Sequence, residues 1–166
     1  MTTEATKKIP KFETAEDLSN EEAIAKIVQP ALGFTEIKKL AFGRYRLDYV
    51  GLRHGVVEAW LEIKDRDHVY GTHDTLIISA NKIAVGAWYA QTFDKDFFLC
   101  VRWACKRVGV WRFLDGRVKY GAEMKWGGAS EKSKNGKEHE PLLYLPLEQF
   151  EMIQYDPDGC PIPLGD

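Results

Sequence analysis

The fold of this chain is decided by nine residues, Val-Val-Glu-Ala-Trp-Leu-Glu-Ile-Lys at positions 56–64. Successive side chains of a β-strand point to opposite faces of the sheet. The stretch therefore predicts a strand with an aliphatic face and a second face that is charged. These faces carry Val57, Ala59, Leu61 and Ile63, and Glu58, Trp60, Glu62 and Lys64, respectively. Charges on a core strand cost free energy unless they are paired or bound to a cation, so the second face is a candidate functional site.

The segment before this strand supplies a further carboxylate, Asp48, on a predicted strand Tyr45–Val50. Asp48 points to the same side of the sheet as Glu62 only if the connection between the two strands has an odd number of residues. A two-residue turn at Arg53-His54 would put the two carboxylates on opposite faces. The five-residue connection Gly51–Gly55 satisfies the condition, so we expect the two groups to converge.

Two carboxylates a few ångströms apart repel each other unless a cation lies between them, and oxygen ligands suit Mg²⁺ or Mn²⁺. A divalent ion held by Asp48 and Glu62 would bind a phosphodiester oxygen and lower the pKa of a bound water. Lys64, two residues along, could steer that water or stabilise the developing charge. The residues therefore predict phosphodiester hydrolysis. The alternative is that Glu62 and Lys64 form an ordinary ion pair on a solvated strand, whereas a glycosidase-like use of the carboxylates leaves Lys64 unexplained.

Helical and strand periodicities place these residues in an α/β layered domain. We predict a helix that begins after Ser19 or Asn20 and ends at Gly33, and a second helix from Asp74 or Thr75 to about Gln91. The remaining predicted elements are strands Val56–Arg66 and Phe97–Ala104, a hairpin of Val108–Leu114 and Arg117–Tyr120 around Asp115-Gly116, a strand Leu142–Leu145 and a helix Leu147–Ile153.

The chain of 166 residues fits one domain, which we predict at 17–155, between a flexible arm at 1–16 and an irregular tail at 156–166. A polar stretch with Gly and Ser predicts a mobile loop at 127–141. The composition, with 45% hydrophobic and 29% charged residues, is typical of a soluble globular protein. An N-terminus without an apolar segment and three unpaired cysteines predict a cytoplasmic, intracellular protein without a membrane segment.

Charge gives a weaker indication of the partner. The net charge of -2 does not by itself point to a nucleic acid, although six basic residues against one acid lie between positions 102 and 119.

Several motifs together resemble the PD-(D/E)XK nuclease superfamily, and most of all the archaeal-type Holliday junction resolvases and related phage-encoded nucleases. The resemblance covers roughly Glu21 to Phe113. It rests on Gly33-Phe34, Leu47-Asp48, Glu62-Ile63-Lys64, Asp67-His-Val-Tyr70, Leu99-Cys-Val-Arg-Trp103 and Gly109-Val-Trp-Arg-Phe113, in this order along the chain. The leucine before Asp48 departs from the proline of the superfamily motif.

This resemblance implies a restriction-endonuclease-like fold, a mixed β-sheet flanked by helices with an αβββαβ core. It implies that Asp48 and Glu62 bind the metal together with the carbonyl of Ile63, and that Lys64 acts as the base-like catalytic residue. A glutamate on the first helix also approaches the metal in resolvase-like members, and its spacing before Gly33-Phe34 matches Glu22 better than Glu21. The alternative for Glu22 is an acid favoured at a helix N-terminus by the macrodipole.

Residues that would bind substrate are predicted around this site. Ser79 and Lys82 share a stripe with Gly86 on the second predicted helix, and Arg66 and Tyr70 follow the catalytic strand. A solvated helix face is the alternative for the stripe.

The resemblance implies a divalent-metal-dependent DNA endonuclease that uses Mg²⁺, with Mn²⁺ as a substitute, and leaves a 5′-phosphate. Branched or junction DNA is the first substrate to consider, and a homodimer would suit a two-fold substrate. The rivals are a catalytically silent nucleic-acid-binding module and an accessory subunit with the same fold.

Overall fold

The computed structural model describes residues 14–41, 44–113, 122–128 and 139–165. Within these ranges the chain forms two helices and nine strands. In order they are α1 (Ala15–Ala31), β1 (Glu36–Lys39), β2 (Tyr49–Arg53), β3 (Val56–Asp65), β4 (Thr75–Ser79), α2 (Ala80–Phe93), β5 (Asp96–Arg102), β6 (Val108–Phe113), β7 (Glu123–Gly128), β8 (His139–Pro146) and β9 (Glu151–Met152), with a single 3-10 turn, Leu147–Gln149, before β9.

Six of the described strands form a mixed sheet in the order β1-β2-β3-β5-β6-β9. The central pair, β3 and β5, is parallel, and the other pairs are antiparallel. Three further strands form a small antiparallel sheet, β4-β8-β7, that was not predicted. Neither described helix is long and apolar enough to cross a membrane.

The helices cover opposite faces of the main sheet, which confirms the predicted class of a mixed β-sheet flanked by helices. The α1-side core contains Ile24, Val28, Ala59, Leu61, Ile63, Phe98 and Cys100. The α2-side core contains Ile83 and Ala90 of the helix, Trp60, Phe97 and Leu99 of the main sheet, and Leu76 and Leu145 of the small sheet. β3 and β5 are therefore buried on both faces, as the nearly continuous apolar run of β5 indicates.

The first helix begins earlier than its sequence signals predict. Thr14 is the N-cap, and its Oγ1 accepts a hydrogen bond from the backbone N–H of Asp17 at 3.1 Å, while Asp17 Oδ2 accepts from the N–H of Thr14 at 2.8 Å. This reciprocal capping box stabilises the first turn. The predicted caps Ser19 and Asn20 are therefore wrong, and the boundary of the arm at residue 16 is too late. Positions 1–13 lie outside the described residues.

The segment Thr75–Ser79 is a strand and not the first turn of the second helix, so the prediction of a cap at Asp74 or Thr75 is wrong. Leu76 and Ile78 are buried while Ile77 between them is exposed, which is the alternation of a strand. β4 pairs with β8, more than 60 residues away, and this pairing overrides the local capping signal.

The C-terminal part of the chain also has more strand than predicted. Positions 127–128 belong to β7 and 139–141 to β8, so both ends of the predicted mobile loop are regular structure. Positions 129–138 and the predicted Asp115-Gly116 turn lie outside the described residues. The predicted helix Leu147–Ile153 is a 3-10 turn followed by β9. In the predicted tail, the Leu164 N–H donates to the carbonyl of Ala31 at 2.8 Å.

Candidate active site

A tight turn joins β2 to β3, so the predicted five-residue connection Gly51–Gly55 is wrong. Arg53 pairs with Val56 across a two-residue turn, His54-Gly55. Both turn residues have positive φ, 50° and 81°. This is the geometry that matches the twist of a hairpin.

A β-bulge at Glu58 brings Asp48 and Glu62 to the same side of the sheet, which the two-residue turn alone would not do. The pairing register shifts at this point, so that β3 carries one residue more than β2. Tyr49 consequently lies opposite Leu61. The next position outward on each chain is Asp48 and Glu62, and the two carboxylates lie on the same side of the sheet. The expected convergence is therefore found, by a different route from the one predicted.

The bulge also reverses the predicted faces of the first residues of β3. Val57 packs against the α2-side core and not beside Leu61. Glu58 lines a cavity on the α1 side with Phe98 and pairs with Lys95 at 3.4 Å. Glu58 therefore does not join Glu62, and the candidate cluster contains one glutamate of β3 instead of two.

The cluster is built around Glu62, which is completely buried at 0% exposure. Its Oε1 lies 2.7 Å from Lys64 Nζ, and its Oε2 lies 3.0 Å from Lys82 Nζ. Lys82 Nζ is also 3.7 Å from Asp48 Oδ1, and Asp48 Oδ2 accepts a long hydrogen bond, 3.4 Å, from the N–H of Ile63. Because one ammonium group reaches both carboxylates, Asp48 and Glu62 face a common point.

The surroundings perturb the pKa of both β3 residues. Burial raises the pKa of Glu62 above its ordinary value, and the nearby charge of Asp48 adds to this, while Lys64 and Lys82 act in the opposite direction. Burial alone would lower the pKa of Lys64, but the carboxylates of Glu62 and Asp48 outweigh it and raise that pKa. Lys64 therefore carries its proton at neutral pH, so in this state it is a cation and a hydrogen-bond donor and not a free base.

The oxygen atoms of the cluster fit a divalent cation. Glu62 Oε1 is buried, and its close neighbour is the cationic Nζ of Lys64 at 2.7 Å, so this oxygen already lies beside positive charge. The described ranges contain no group of three or more His, Cys, Asp or Glu side chains suited to a metal. The described residues would therefore supply two carboxylates, with water in the other positions, which is how Mg²⁺ is commonly bound.

Comparison with known proteins places the chain in a family. Residues 7–153 match a family model described as "Phage putative PDDEXK endonuclease". The chain belongs to this family. The match covers most of the chain and confirms the PD-(D/E)XK resemblance. It makes the protein a member of a nuclease family.

Among the solved structures that are similar to this chain is the 1.6 Å structure of Archaeoglobus fulgidus Hjc, a Holliday junction resolvase from an archaeal hyperthermophile. The alignment covers 78% of this chain and 88% of the resolvase, with 8% sequence identity and a TM-score of 0.42. No curated protein sequence matches the chain.

The structure does not bring Glu22 to the PD-(D/E)XK cluster. Its side chain is 68% exposed and pairs with Lys26 at 3.1 Å on the outer face of α1. Glu21 instead lines a cleft of about 380 Å³ with Ile63 and Lys64. The helical pattern contains the signal for this, because Glu21 precedes the buried residues Ile24, Ala25 and Val28 by three, four and seven positions.

Lys82 is the predicted substrate-binding residue that lies in the cluster itself. Arg66 directly follows β3, lines the same cleft as Lys64 and donates from Nη2 to the carbonyl of Ile77 at 2.7 Å. Burial lowers the pKa of this guanidinium from its usual value. Both residues therefore place positive charge beside the carboxylates.

Ser79 and Tyr70 have other surroundings. Ser79 ends β4 at the N-cap position of α2 and donates from Oγ to Glu140 Oε2 at 2.5 Å, so it is not on a helical stripe with Lys82. Tyr70 packs edge-on against Trp103, with ring centroids 5.1 Å apart. Ser79 thus lies three residues from the cluster along the chain, whereas Tyr70 belongs to the packing of the α2-side core.

Proposed function

We propose that this chain hydrolyses DNA phosphodiester bonds in a reaction that depends on Mg²⁺, with Mn²⁺ as a substitute. The observation that carries the proposal is the convergence of Asp48, Glu62, Lys64 and Lys82 at the end of a buried strand in a member of a nuclease family. Two carboxylates and two ammonium groups in one place cost desolvation free energy, which a purely structural role would not require.

Each side chain has a separate task in this proposal. Asp48, Glu62 and the carbonyl of Ile63 would hold the ion. When bound, the ion would polarise a phosphodiester oxygen and lower the pKa of a water molecule. Lys64, which keeps its proton on Nζ, would orient the attacking water and stabilise negative charge that develops on the phosphoryl oxygens.

Positive groups at the rim of the site would bind the DNA backbone. Arg66 directly follows β3, Lys82 lies in the first turn of α2, and the hydroxyl of Ser79 lies at the end of β4. Contacts of this kind to phosphate position the duplex without reading its sequence. We further propose branched or junction DNA as the substrate, a homodimer that makes paired cuts, and action in the cytoplasm.

A plasmid assay tests the proposal. Supercoiled plasmid, a synthetic four-way junction and a linear duplex of the same sequence are incubated with the protein in Mg²⁺ or in EDTA. We expect cleavage only in Mg²⁺, with 5′-phosphate ends, and a loss of about 10³-fold in Glu62→Gln, the scale of removing a group that stabilises the transition state. Faster cleavage of the junction than of the duplex supports the branched substrate.

The matched control is Glu58→Gln, which makes the same change on the same strand but in the cavity on the other face. This variant should cut at the wild-type rate. Cleavage in EDTA, or full activity of Glu62→Gln, would contradict the metal-dependent mechanism. DNA binding without cleavage, and without Mg²⁺ binding that is sensitive to Glu62→Gln, would indicate the silent binding module instead.

A further inference from the structure

The ammonium group of Lys82 occupies the point where the two carboxylates converge. Its Nζ lies 3.0 Å from Glu62 Oε2 and 3.7 Å from Asp48 Oδ1, and it donates to the carbonyl of Arg46 at 2.8 Å. All three neighbours are oxygen atoms. Lys82 therefore has the oxygen environment that a small cation would have.

Lys64 has a different relation to the cluster. Its Nζ is within ion-pair distance of Glu62 Oε1 and comes from the same strand, whereas Lys82 reaches both carboxylates from the first turn of α2. A cation that bridged Asp48 and Glu62 through the oxygens facing Lys82 would take the position that Lys82 Nζ holds. The side chain of Lys82 is 30% exposed, so it can turn away from the carboxylates toward solvent.

Electrostatic repulsion opposes the binding of a divalent ion while both lysine ammonium groups remain in the cluster. The two carboxylates balance the two ammonium groups, so a divalent ion added to the intact cluster would leave an excess of two positive charges. Like charges a few ångströms apart cost several kcal/mol in a partly buried site. One ammonium group must leave before a divalent ion can bind tightly.

We propose that Lys82 is the internal counter-ion of the metal-free site, that it leaves Asp48 and Glu62 when a divalent ion binds, and that it then binds a DNA phosphate. The inference rests on the proposed function. It makes metal binding and DNA binding positively coupled through one side chain, because each event favours the same outward position of Lys82. It also predicts that Lys82 weakens the binding of metal while it strengthens the binding of DNA.

Calorimetric titration with Mn²⁺ in the absence of DNA tests whether Lys82 weakens the binding of metal. The variant Lys82→Met removes the ammonium group and keeps the length of the side chain. We expect it to bind Mn²⁺ about fivefold tighter than wild type, the factor that corresponds to a partly exposed ion pair. The affinity of Lys82→Met for DNA, measured with Ca²⁺ in place of Mn²⁺, should fall. The matched control is Lys95→Met, because Lys95 is 31% exposed and pairs with Glu58 on the other face, and this variant should bind Mn²⁺ as wild type does.

The outcomes separate the two proposals. Equal or weaker Mn²⁺ binding by Lys82→Met, together with loss of binding in Glu62→Gln, overturns the displacement of Lys82 and leaves the metal site intact. Mn²⁺ binding that does not respond to Glu62→Gln overturns the metal site itself. If Lys82→Met does not fold, NMR of the lysine Nζ groups in the wild type decides. A Lys82 signal that shifts on Mg²⁺ saturation supports the displacement, and an unchanged signal overturns it.

Discussion

Lys64 Nζ lies 2.7 Å from Glu62 Oε1, although both side chains leave the same face of β3 only two residues apart. Glu62 is wholly buried and Lys64 is partly exposed, so the pair links the interior of the sheet to the cleft. The contact raises the pKa of Lys64 and keeps it protonated. A cation is therefore fixed beside the carboxylate that we propose as a metal ligand.

We predict that Lys64→Met lowers the rate of DNA cleavage by about 10²- to 10³-fold, because it removes a donor aimed at the transition state. Its affinity for Mn²⁺ should not fall, since Lys64 is not a ligand and its charge opposes the metal. Single-turnover cleavage and calorimetry on the same preparation measure the two effects. Loss of Mn²⁺ binding together with activity would instead mean that Lys64 is needed to assemble the site.

Gly86 allows α2 to lie directly on β5. A Cβ at this position would come within 2.3 Å of Cε1 of Phe97, a ring that is completely buried. We predict that Gly86→Ala destabilises the protein by about 1–2 kcal/mol, because overpacking outweighs the helix propensity gained. Cleavage should also fall, since the displaced helix carries Lys82. Urea unfolding and the plasmid assay measure the two quantities.

The double variant Gly86→Ala/Phe97→Leu is the control for this explanation. The smaller side chain should restore much of the lost stability, because it removes the atoms that the new Cβ meets. No recovery in the double variant would refute steric contact with Phe97 as the cause. Ala84→Ser, on the exposed face of the same helix, should leave stability and cleavage nearly unchanged.

The central part of the site could be predicted because its signals are local. Alternation along β3 separates Glu62 and Lys64 from Leu61 and Ile63 within four consecutive residues, and the structure keeps that separation. The sequence also predicts that Asp48 lies on the same side of the sheet as Glu62, but this prediction depends on a five-residue connection Gly51–Gly55 that the structure does not have. A bulge depends on how two strands pair, and nothing in the residues around Glu58 marks it.

Features that were missed depend on contacts between distant segments. Thr75 carries a side chain that can cap a helix, and only its pairing with Pro146 of β8 makes the segment a strand. Spacing before Gly33-Phe34 favours Glu22 over Glu21, whereas the apolar pattern of α1 places Glu21 on the buried side. The sequence predicts Lys82 on a helix face near substrate, but its contact with Asp48 joins residues 34 positions apart, which no local pattern encodes.

The raised pKa of the Tyr49 phenol makes the free energy of unfolding depend on pH. Burial raises the pKa of its phenol to about 12, with Lys39 acting against this and Glu21 adding to it, and the O–H donates to Glu21 Oε2 at 3.2 Å. The folded pKa lies above the ordinary value of 10.0, so the stabilisation is complete below pH 10 and is lost as the pH rises to about 12.

We therefore predict that the free energy of unfolding of the wild type falls more steeply between pH 10 and pH 12 than that of Tyr49→Phe. The variant has no phenol at this position to ionise in the unfolded chain. Urea unfolding of both proteins across this range measures the difference. The other tyrosines contribute equally to the pH dependence of both proteins, because both contain them. Parallel curves for the two proteins would exclude Tyr49 as the source.

The bulge in β3 leads to a prediction about the deletion of single residues from this strand. Val57 pairs with Leu52 and Ala59 pairs with Gly51, so Glu58 is an extra residue between two regular pairs. Its removal should leave a continuous ladder in which Asp48 still lies opposite Glu62. The cost is the pair with Lys95, whose partly exposed groups contribute about 1 kcal/mol or less. We predict that deletion of Glu58 is tolerated and that the variant still cuts DNA.

Deletion of Val57 is the matched control, because it shortens the same strand by one residue. It would move Glu58 to the position opposite Leu52, which is buried in the α2-side core. An unpaired carboxylate there should cost about 2 kcal/mol or more, and cleavage should fall with the folded fraction. Thermal unfolding and the plasmid assay on both deletions give the comparison. If deletion of Glu58 is as damaging as deletion of Val57, the residue is structurally required and the parity argument fails, since the ladder then depends on the bulge itself.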